Sequence, residues 1–147
     1  MQYYVNVHSA FNKMRNEALT QKKIGPTILV TGSNFSGKST LCRILANYSL
    51  RLGWRPILCD IDLSANEISP PGCIAAAAVD DPLPNDDLTQ SALCFFHGSI
   101  SPDKTLEFFD KQVFELANAV RTLQENDLNN FNREHLIETE ATDVPNV

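Results

Sequence analysis

The stretch Gly32-Ser33-Asn34-Phe35-Ser36-Gly37-Lys38-Ser39-Thr40 decides how the rest of the chain is interpreted, because it fits the pattern G-x-x-x-x-G-K-[ST]. This pattern is typical of a loop that binds nucleotide phosphates. Gly32 and Gly37 allow backbone angles that other residues avoid, so that successive N–H groups turn toward an anion. Lys38 supplies a mobile positive charge for the terminal phosphates, and the Ser39 hydroxyl suits a Mg²⁺ ion. The sequence therefore predicts a phosphate-binding loop at residues 32–40.

The residues on either side of the loop agree with this interpretation. The apolar run Thr27-Ile28-Leu29-Val30 predicts a short buried strand that leads into the loop. After the loop, apolar residues recur at helical spacing as far as Gly53, which is typical of a helix C-cap. We expect the positive N-terminal end of this helix to point at the same phosphates.

Composition places the chain among ordinary soluble domains, but the charge is unevenly distributed. The chain has 147 residues, 43% of them hydrophobic, and a formal net charge of −6. Residues 1–56 carry eight Lys or Arg against one acid (+7), and residues 57–147 carry four against seventeen (−13). The basic half contains the phosphate loop, which suits an anionic ligand there. The overall acidity argues against a protein that coats nucleic acid. The four cysteines form no C-x-x-C pair, so we expect reduced, mostly buried thiols and no zinc site.

A second candidate strand ends in two carboxylates. The run Arg55-Pro56-Ile57-Leu58-Cys59-Asp60-Ile61-Asp62 predicts a parallel strand that completes a β-α-β unit with the strand at 27–30. Either Asp60 or Asp62 would lie beside the phosphates, where it can hold a water on Mg²⁺ or accept a proton from an attacking hydroxyl group.

The remaining elements are predicted from periodicity and turn residues. We expect a strand near residues 1–7, a helix from Ser9, strand or helix at 75–79 and a strand at 92–96. Ser101-Pro102 predicts the start of a long helix, and the acidic segment after residue 124 predicts disorder. For His97, at the end of the last strand, a packed or capping role is favoured over contact with substrate.

Other motifs narrow the class of nucleotide-binding protein. The chain has no N-K-x-D motif for reading guanine and no D-x-x-G switch motif, which argues against a small GTPase. No apolar run reaches the roughly 18 residues that cross a membrane. We therefore expect no membrane association.

Beyond these motifs, the sequence resembles the eukaryotic polyribonucleotide 5′-hydroxyl kinase family, and within it the kinase-like subunit of the cleavage and polyadenylation machinery. The resemblance covers roughly residues 3–123. It lies in these stretches: Tyr4-Val5-Asn6-Val7-His8, Gly25-Pro26-Thr27, Gly37-Lys38-Ser39-Thr40-Leu41-Cys42-Arg43, Asn47-Tyr48, Arg51-Leu52-Gly53, Arg55-Pro56, Asp60-Ile61-Asp62, Pro71-Gly72 and residues 96–102.

The resemblance implies an activity and roles for individual residues. Lys38 and Ser39 would hold the phosphates of ATP and the Mg²⁺ ion, and Asp62 would contact the metal and orient or deprotonate an RNA 5′-hydroxyl group. Lys38 and Asp62 are thus the implied catalytic residues. The implied partners are the RNA 5′ end and protein subunits of the pre-mRNA cleavage and polyadenylation or tRNA-splicing machinery, and the implied location is the nucleus.

The chain also departs from the family. Relatives continue Asp-x-Asp-x with Gly-Gln, where this chain has Ser64-Ala65. They also carry a β-rich domain before the loop and an arginine-bearing lid after it. We therefore expect a truncated domain that binds ATP better than it turns it over, because phosphoryl transfer depends on cations that neutralise developing charge.

These observations predict an α/β P-loop NTPase fold with a short, mostly parallel sheet flanked by helices. The domain would span residues 1–124, followed by a disordered acidic tail at 125–147. Three functions stay open: an RNA 5′-hydroxyl kinase-like protein, a non-catalytic ATP-binding scaffold subunit, and a small-molecule P-loop kinase. Whether the chain is an enzyme is uncertain from its sequence.

Overall fold

Three helices and one three-stranded sheet make up the described part of the chain. The computed structural model describes residues 2–33, 35–83, 93–103 and 105–142. The helices are α1 (Gln2–Thr20), α2 (Lys38–Arg51) and α3 (Leu106–Thr142). The strands are β1 (Ile57–Asp60), β2 (Cys73–Ala78) and β3 (Leu93–Phe96), with β2 in the centre of the sheet.

The predicted mostly parallel sheet is wrong for these strands, because both pairings are antiparallel. Ile57 of β1 lies opposite Ala78 of β2, and Cys73 of β2 lies opposite Phe96 of β3. Parallel neighbours need a long crossover connection, usually a helix. Here the chain passes from β1 to β2 through residues 61–72 without a helix, and Gly72 turns it with a positive φ of 81°.

The predicted strand at residues 27–30 is not present either. In the described residues this segment belongs to no sheet, and Leu29 is 81% exposed. A strand needs a hydrogen-bonded neighbour, and residues 27–30 pair with none of the described strands, although β1 lies at the edge of the sheet. The phosphate loop is therefore entered from an extended, unpaired segment.

The core lies on both faces of β2. On one face, Ile74 and Ala76 pack with Leu63 and with Leu116 of α3. On the other face, Ala75 and Ala77 pack with Ile68. Just after β2, Val79 packs with Ala46 of α2 and with Leu83. The central strand is alanine-rich because both faces are covered closely, so helix α2 and helix α3 enclose the sheet.

Several predicted helix bounds change. Helix α1 begins at Gln2, so the predicted strand near residues 1–7 is wrong: residues 3–7 are exposed and pair with none of the described strands, so their backbone groups are satisfied within the helix. The helix meets α2 at the next residue, where the rings of His8 and Tyr48 lie 5.2 Å apart. Helix α2 ends near Gly53, as predicted, and the Gly53 N–H donates to Leu50 O at 2.9 Å. Helix α3 begins at Leu106 and not at Pro102.

The later start of α3 and its length both have local causes. The Thr105 carbonyl accepts the N–H groups of Phe108 and Phe109, so the first helical turn forms there. The helix then continues to Thr142, through most of the segment for which disorder was predicted. Arg55 binds Asp127 at 3.2 Å, which holds this part of α3 against the sheet. The division at residue 124 stays a prediction, and residues 143–147 lie outside the described residues.

All four cysteines are free, as predicted, but Cys73 alone among them is buried. In the acidic, proline-containing stretch at residues 80–87, the sequence of which is typical of a surface loop, residues 84–87 lie outside the described residues. No helix in the part of the chain that the structure describes is both long and apolar enough to cross a membrane.

Candidate nucleotide-binding site

The phosphate loop has the backbone geometry of an anion nest. Phe35 and Gly37 both have positive φ, 59° and 84°, and Ser36 between them donates to the carbonyl of Ser33 at 3.4 Å. Left-handed residues alternating with right-handed ones turn consecutive N–H groups to the same side. The loop is therefore shaped for an anion before any ligand binds.

Gly32 and Gly37 serve the loop differently. Gly37 uses a positive φ, as predicted, whereas Gly32 does not. At Gly32 a Cβ would lie 3.1 Å from Ser36 Oγ, so a larger residue there would require the serine side chain to shift slightly. The second left-handed position is Phe35, which the glycine pattern did not reveal. Asn34, another predicted phosphate-binding residue, lies outside the described residues.

The start of α2 supplies further donors. Gly37 is the N-cap and makes no side-chain cap hydrogen bond, and the first turn contains no acidic residue. The first helical bond runs from Leu41 N to Gly37 O at 2.9 Å, so the N–H groups of Lys38, Ser39 and Thr40 precede the helix ladder. Together with the helix dipole, this end of α2 favours a bound phosphate.

Lys38 and Asp62, the two predicted catalytic residues, lie on the same side of the molecule. Lys38 Nζ donates to Ser33 O at 2.9 Å, which folds the side chain back over the loop. Its positive charge is also among the groups that lower the pKa of Asp62. The two charged groups are therefore near enough to interact electrostatically.

Ser64, which stands where the family has glycine, holds Asp62 in place. Asp62 Oδ1 accepts the Ser64 hydroxyl at 2.7 Å, the Ser64 N–H at 2.9 Å and the Ala65 N–H at 3.2 Å. These bonds, led by the Ser64 hydroxyl, are the main reason why the pKa of Asp62 is lowered. Oδ2 receives no hydrogen bond from the described residues, so that oxygen is the one available to a metal-bound water or a hydroxyl group.

The sequence left Asp60 and Asp62 as alternatives for contact with a ligand. The structure distinguishes them, because Asp60 has a structural role. Its Oδ1 accepts the N–H of Asp62 at 3.0 Å and its Oδ2 accepts the N–H of Glu67 at 2.9 Å. Both oxygens are thus used to shape the loop after β1. The structure favours Asp62 for contact with a ligand.

Asn66 and Glu67 were missed by sequence reasoning. The Asn66 amide donates to Asp60 O and Cys73 O, both at 3.1 Å, and accepts from Ile68 N and Ser69 N, both at 2.8 Å. Glu67 pairs with Arg43 of α2 at 2.8 Å. Asparagine is common in turns, so the sequence could indicate a turn here. That Asn66 joins β1 to β2, and so positions Asp62, is visible only in the folded loop.

His97 has the packed role that the sequence favoured. Its Nδ1 lies 2.8 Å from Gln112 Oε1, its Nε2 lies 3.0 Å from Thr105 Oγ1, and its ring stacks on Phe108 with 5.5 Å between centroids. Gln112 also donates to Phe96 O at 2.9 Å. His97 therefore joins β3 to α3.

The residues fit the ligands that the motif implies. The loop offers backbone N–H donors and one mobile cation for phosphates, and Ser39 and Asp62 offer oxygen ligands of the kind that Mg²⁺ prefers. No cluster of three His, Cys, Asp or Glu side chains suited to a metal ion occurs within residues 2–33, 35–83, 93–103 and 105–142.

The loop geometry, with Lys38 at the start of α2, is that of a P-loop nucleotide-binding protein. The comparison with family models gives the particular family: residues 32–141 match the model described as "mRNA cleavage and polyadenylation factor CLP1 P-loop". Since this match covers more than half of the chain, the chain belongs to that family.

Individual proteins that are similar to this chain support the same family. The chain is 36% identical over 121 residues to the Danio rerio protein named polyribonucleotide 5′-hydroxyl-kinase Clp1, covering 81% of this chain and 27% of the relative. It is 38% identical over 119 residues to the Anopheles gambiae protein named CLP1 homolog (80% and 28%). It is 34% identical over 119 residues to the Homo sapiens protein, which carries the same name as the first (80% and 28%). The chain thus spans little more than a quarter of the length of these relatives.

Proposed function

We propose that this chain binds Mg·ATP through residues 32–40 and serves as the P-loop part of an RNA 5′-hydroxyl kinase-like protein. The observation that carries the proposal is the anion nest formed by the backbone of the loop, with Lys38 folded over it. Membership of the family supports the kinase class, because relatives are named polyribonucleotide 5′-hydroxyl kinases.

The chain's own residues have distinct tasks in this proposal. The N–H groups of residues 37–40 bind phosphate oxygens, and Lys38 exchanges the carbonyl of Ser33 for a terminal phosphate oxygen. Ser39 and Asp62 hold the metal. When bound, Mg·ATP supplies the phosphoryl group and the cation that offsets its charge. The Oδ2 of Asp62, which accepts no hydrogen bond from the described residues, holds a metal-bound water or orients the acceptor hydroxyl group.

Asp62 is better suited to orienting than to deprotonating a hydroxyl group. Its lowered pKa keeps it ionised at neutral pH but makes it a weak base. The second candidate function is a non-catalytic ATP-binding scaffold subunit, which needs the phosphate loop but no transfer to an acceptor. A small-molecule P-loop kinase is the third candidate, and it differs from the others by its indifference to RNA.

The biological setting is also a proposal. The name of the matching family model supports a role in pre-mRNA cleavage and polyadenylation, with protein subunits of that machinery as partners. A role in tRNA splicing and a location in the nucleus are proposed from the family resemblance of residues 3–123. RNA with a 5′-hydroxyl end is the proposed acceptor.

A transfer assay separates the three functions. The purified chain is incubated with ATP labelled on its γ-phosphate, Mg²⁺ and either a 5′-hydroxyl oligoribonucleotide or a mixture of small-molecule acceptors, beside Lys38→Ala and Asp62→Asn. Label on the RNA that is lost in both variants supports the kinase. ATP binding without transfer supports the scaffold, and label on a small molecule contradicts both RNA-directed functions.

A further inference from the structure

Phe35 is an aromatic side chain placed where nothing in the fold uses it. It is 106% exposed, so its whole ring lies in solvent. Large apolar side chains are normally stabilised by burial, and this ring gains none. A structural role in the core is therefore excluded.

The backbone makes the choice of phenylalanine more unusual. Phe35 has a φ of 59°, a left-handed conformation that glycine or asparagine adopts at lower energetic cost. Such residues cluster at functional sites, where the surrounding structure holds them in place. The loop needs left-handed geometry at this position, but it does not need a ring there.

Phe35 also belongs to the loop that forms the proposed phosphate site, and we use "rim" for this exposed part of the loop. Phe35 lies within the turn closed by Ser33 and Ser36, two residues after Ser33, whose carbonyl accepts Lys38 Nζ. A ligand whose phosphates occupy the nest must extend past this rim. An exposed aromatic face there is suited to the flat face of a nucleobase, because base–aromatic stacking needs no specific hydrogen bonds.

We propose that Phe35 is a stacking surface for a nucleobase beside the phosphate loop, which makes the site bind nucleotides more tightly than bare polyphosphate. This inference rests on the proposed function, since it assumes that the loop binds phosphates. The base can come from ATP itself or from the 5′-terminal nucleotide of the acceptor RNA.

Calorimetry with three probes tests the proposal: Mg²⁺ with inorganic tripolyphosphate, Mg·ATP, and a 5′-hydroxyl oligoribonucleotide added in the presence of tripolyphosphate. Phe35→Leu removes the ring but keeps a bulky side chain in the strained backbone. Phe35→Trp keeps an aromatic face. Phe114→Leu, on the outer face of α3 where Phe114 is 64% exposed, is the matched control for loss of an exposed ring.

If one nucleobase of ATP stacks on Phe35, the Phe35→Leu substitution should weaken ATP binding about 5- to 100-fold. Tripolyphosphate affinity stays unchanged in that variant, and Phe35→Trp keeps ATP affinity and gains indole fluorescence that ATP quenches. If ATP affinity is unchanged but RNA affinity falls by a similar factor, the base is that of the acceptor, which also supports the proposal.

Equal affinities of wild type and Phe35→Leu for both ATP and RNA would overturn the stacking role while leaving the phosphate site intact. A wild-type chain that is folded but binds neither tripolyphosphate nor ATP would instead overturn the proposed function, and this inference with it. The tripolyphosphate arm thus distinguishes the two failures.

Discussion

The phosphate loop and strand β2 are opposite kinds of structure in the same small protein. Around the loop, Leu29 and Phe35 are exposed and the backbone is held by a few turn bonds. In β2, Ile74 and Ala75 are completely buried and every residue is paired to a neighbouring strand. The binding site is therefore carried by a weakly packed segment next to a closely packed core, so changes at the two places should affect different properties.

The largest expected effect is the loss of stability from Ile74→Ala. Truncating this fully buried side chain should lower the free energy of unfolding by about 2–5 kcal/mol, because it removes apolar burial and leaves a cavity. Leu29→Ala, in the exposed segment before the loop, should change it by less than about 0.5 kcal/mol. Urea unfolding followed by circular dichroism measures both. Equal losses would mean that residues 27–30 are packed like a core strand, and the contrast between the two regions would fail.

Asn66→Ala tests the link between the two regions. The substitution leaves two carbonyl and two N–H groups without their partner, so we expect a loss of about 2–3 kcal/mol in the free energy of unfolding. Asn16→Ala on the exposed face of α1 is the control and should be nearly neutral. A loss from Asn66→Ala no greater than that of the control would show that the loop after β1 does not depend on this amide.

Gly37→Ala should have a smaller effect on stability, about 1 kcal/mol, because alanine is strained at a φ of 84°. We also expect weaker ATP binding, because relief of that strain would disturb the nest. Gly25→Ala is a suitable comparison, since Gly25 has no positive φ and a Cβ there meets no atom within 4 Å. Thermal unfolding and ATP calorimetry on both variants measure the difference. Intact ATP binding by Gly37→Ala would argue against a preformed nest.

The smallest expected effect is the pH dependence contributed by Asp62. Its hydrogen bonds lower its pKa in the folded state, so the ionised carboxylate stabilises the fold at neutral pH. This contribution is lost as the pH falls below the usual aspartate pKa of about 3.9. Because the group is exposed, we expect only about a few tenths of a kcal/mol. Urea unfolding of wild type and Asp62→Asn at pH 7 and pH 3 should give a difference that shrinks at low pH; a difference that grows would contradict it.

The binding loop was predictable from sequence because its chemistry is local. The spacing of Gly32, Gly37 and Lys38 is set by the geometry that phosphates need, and helix α2 follows from apolar periodicity. The residues alone left Asp60 and Asp62 as alternatives, and only the family resemblance selected Asp62. Its partner Ser64 was noticed as a departure, but that it holds the carboxylate became visible only in three dimensions.

The sheet was not predictable in the same way, because strand pairing depends on contacts distant in sequence. The run of alanines in β2 fits a strand or a helix equally well, and its burial on both faces resolves the ambiguity. The antiparallel pairing follows from the connection at residues 61–72, where Asn66 joins the two strands. No periodic pattern in residues 61–72 predicts that β1 and β2 pair in antiparallel fashion.

Calorimetric titration of Mg·ATP into the purified chain, with Lys38→Ala beside it, tests the central claim most directly. A bond from a charged group is worth about 1.5–3 kcal/mol, so the account predicts saturable binding to the wild type that is weakened at least about tenfold in the variant. Circular dichroism should confirm that both proteins are folded. A folded wild-type chain that binds no ATP, or that binds it equally with and without Lys38, would contradict the account.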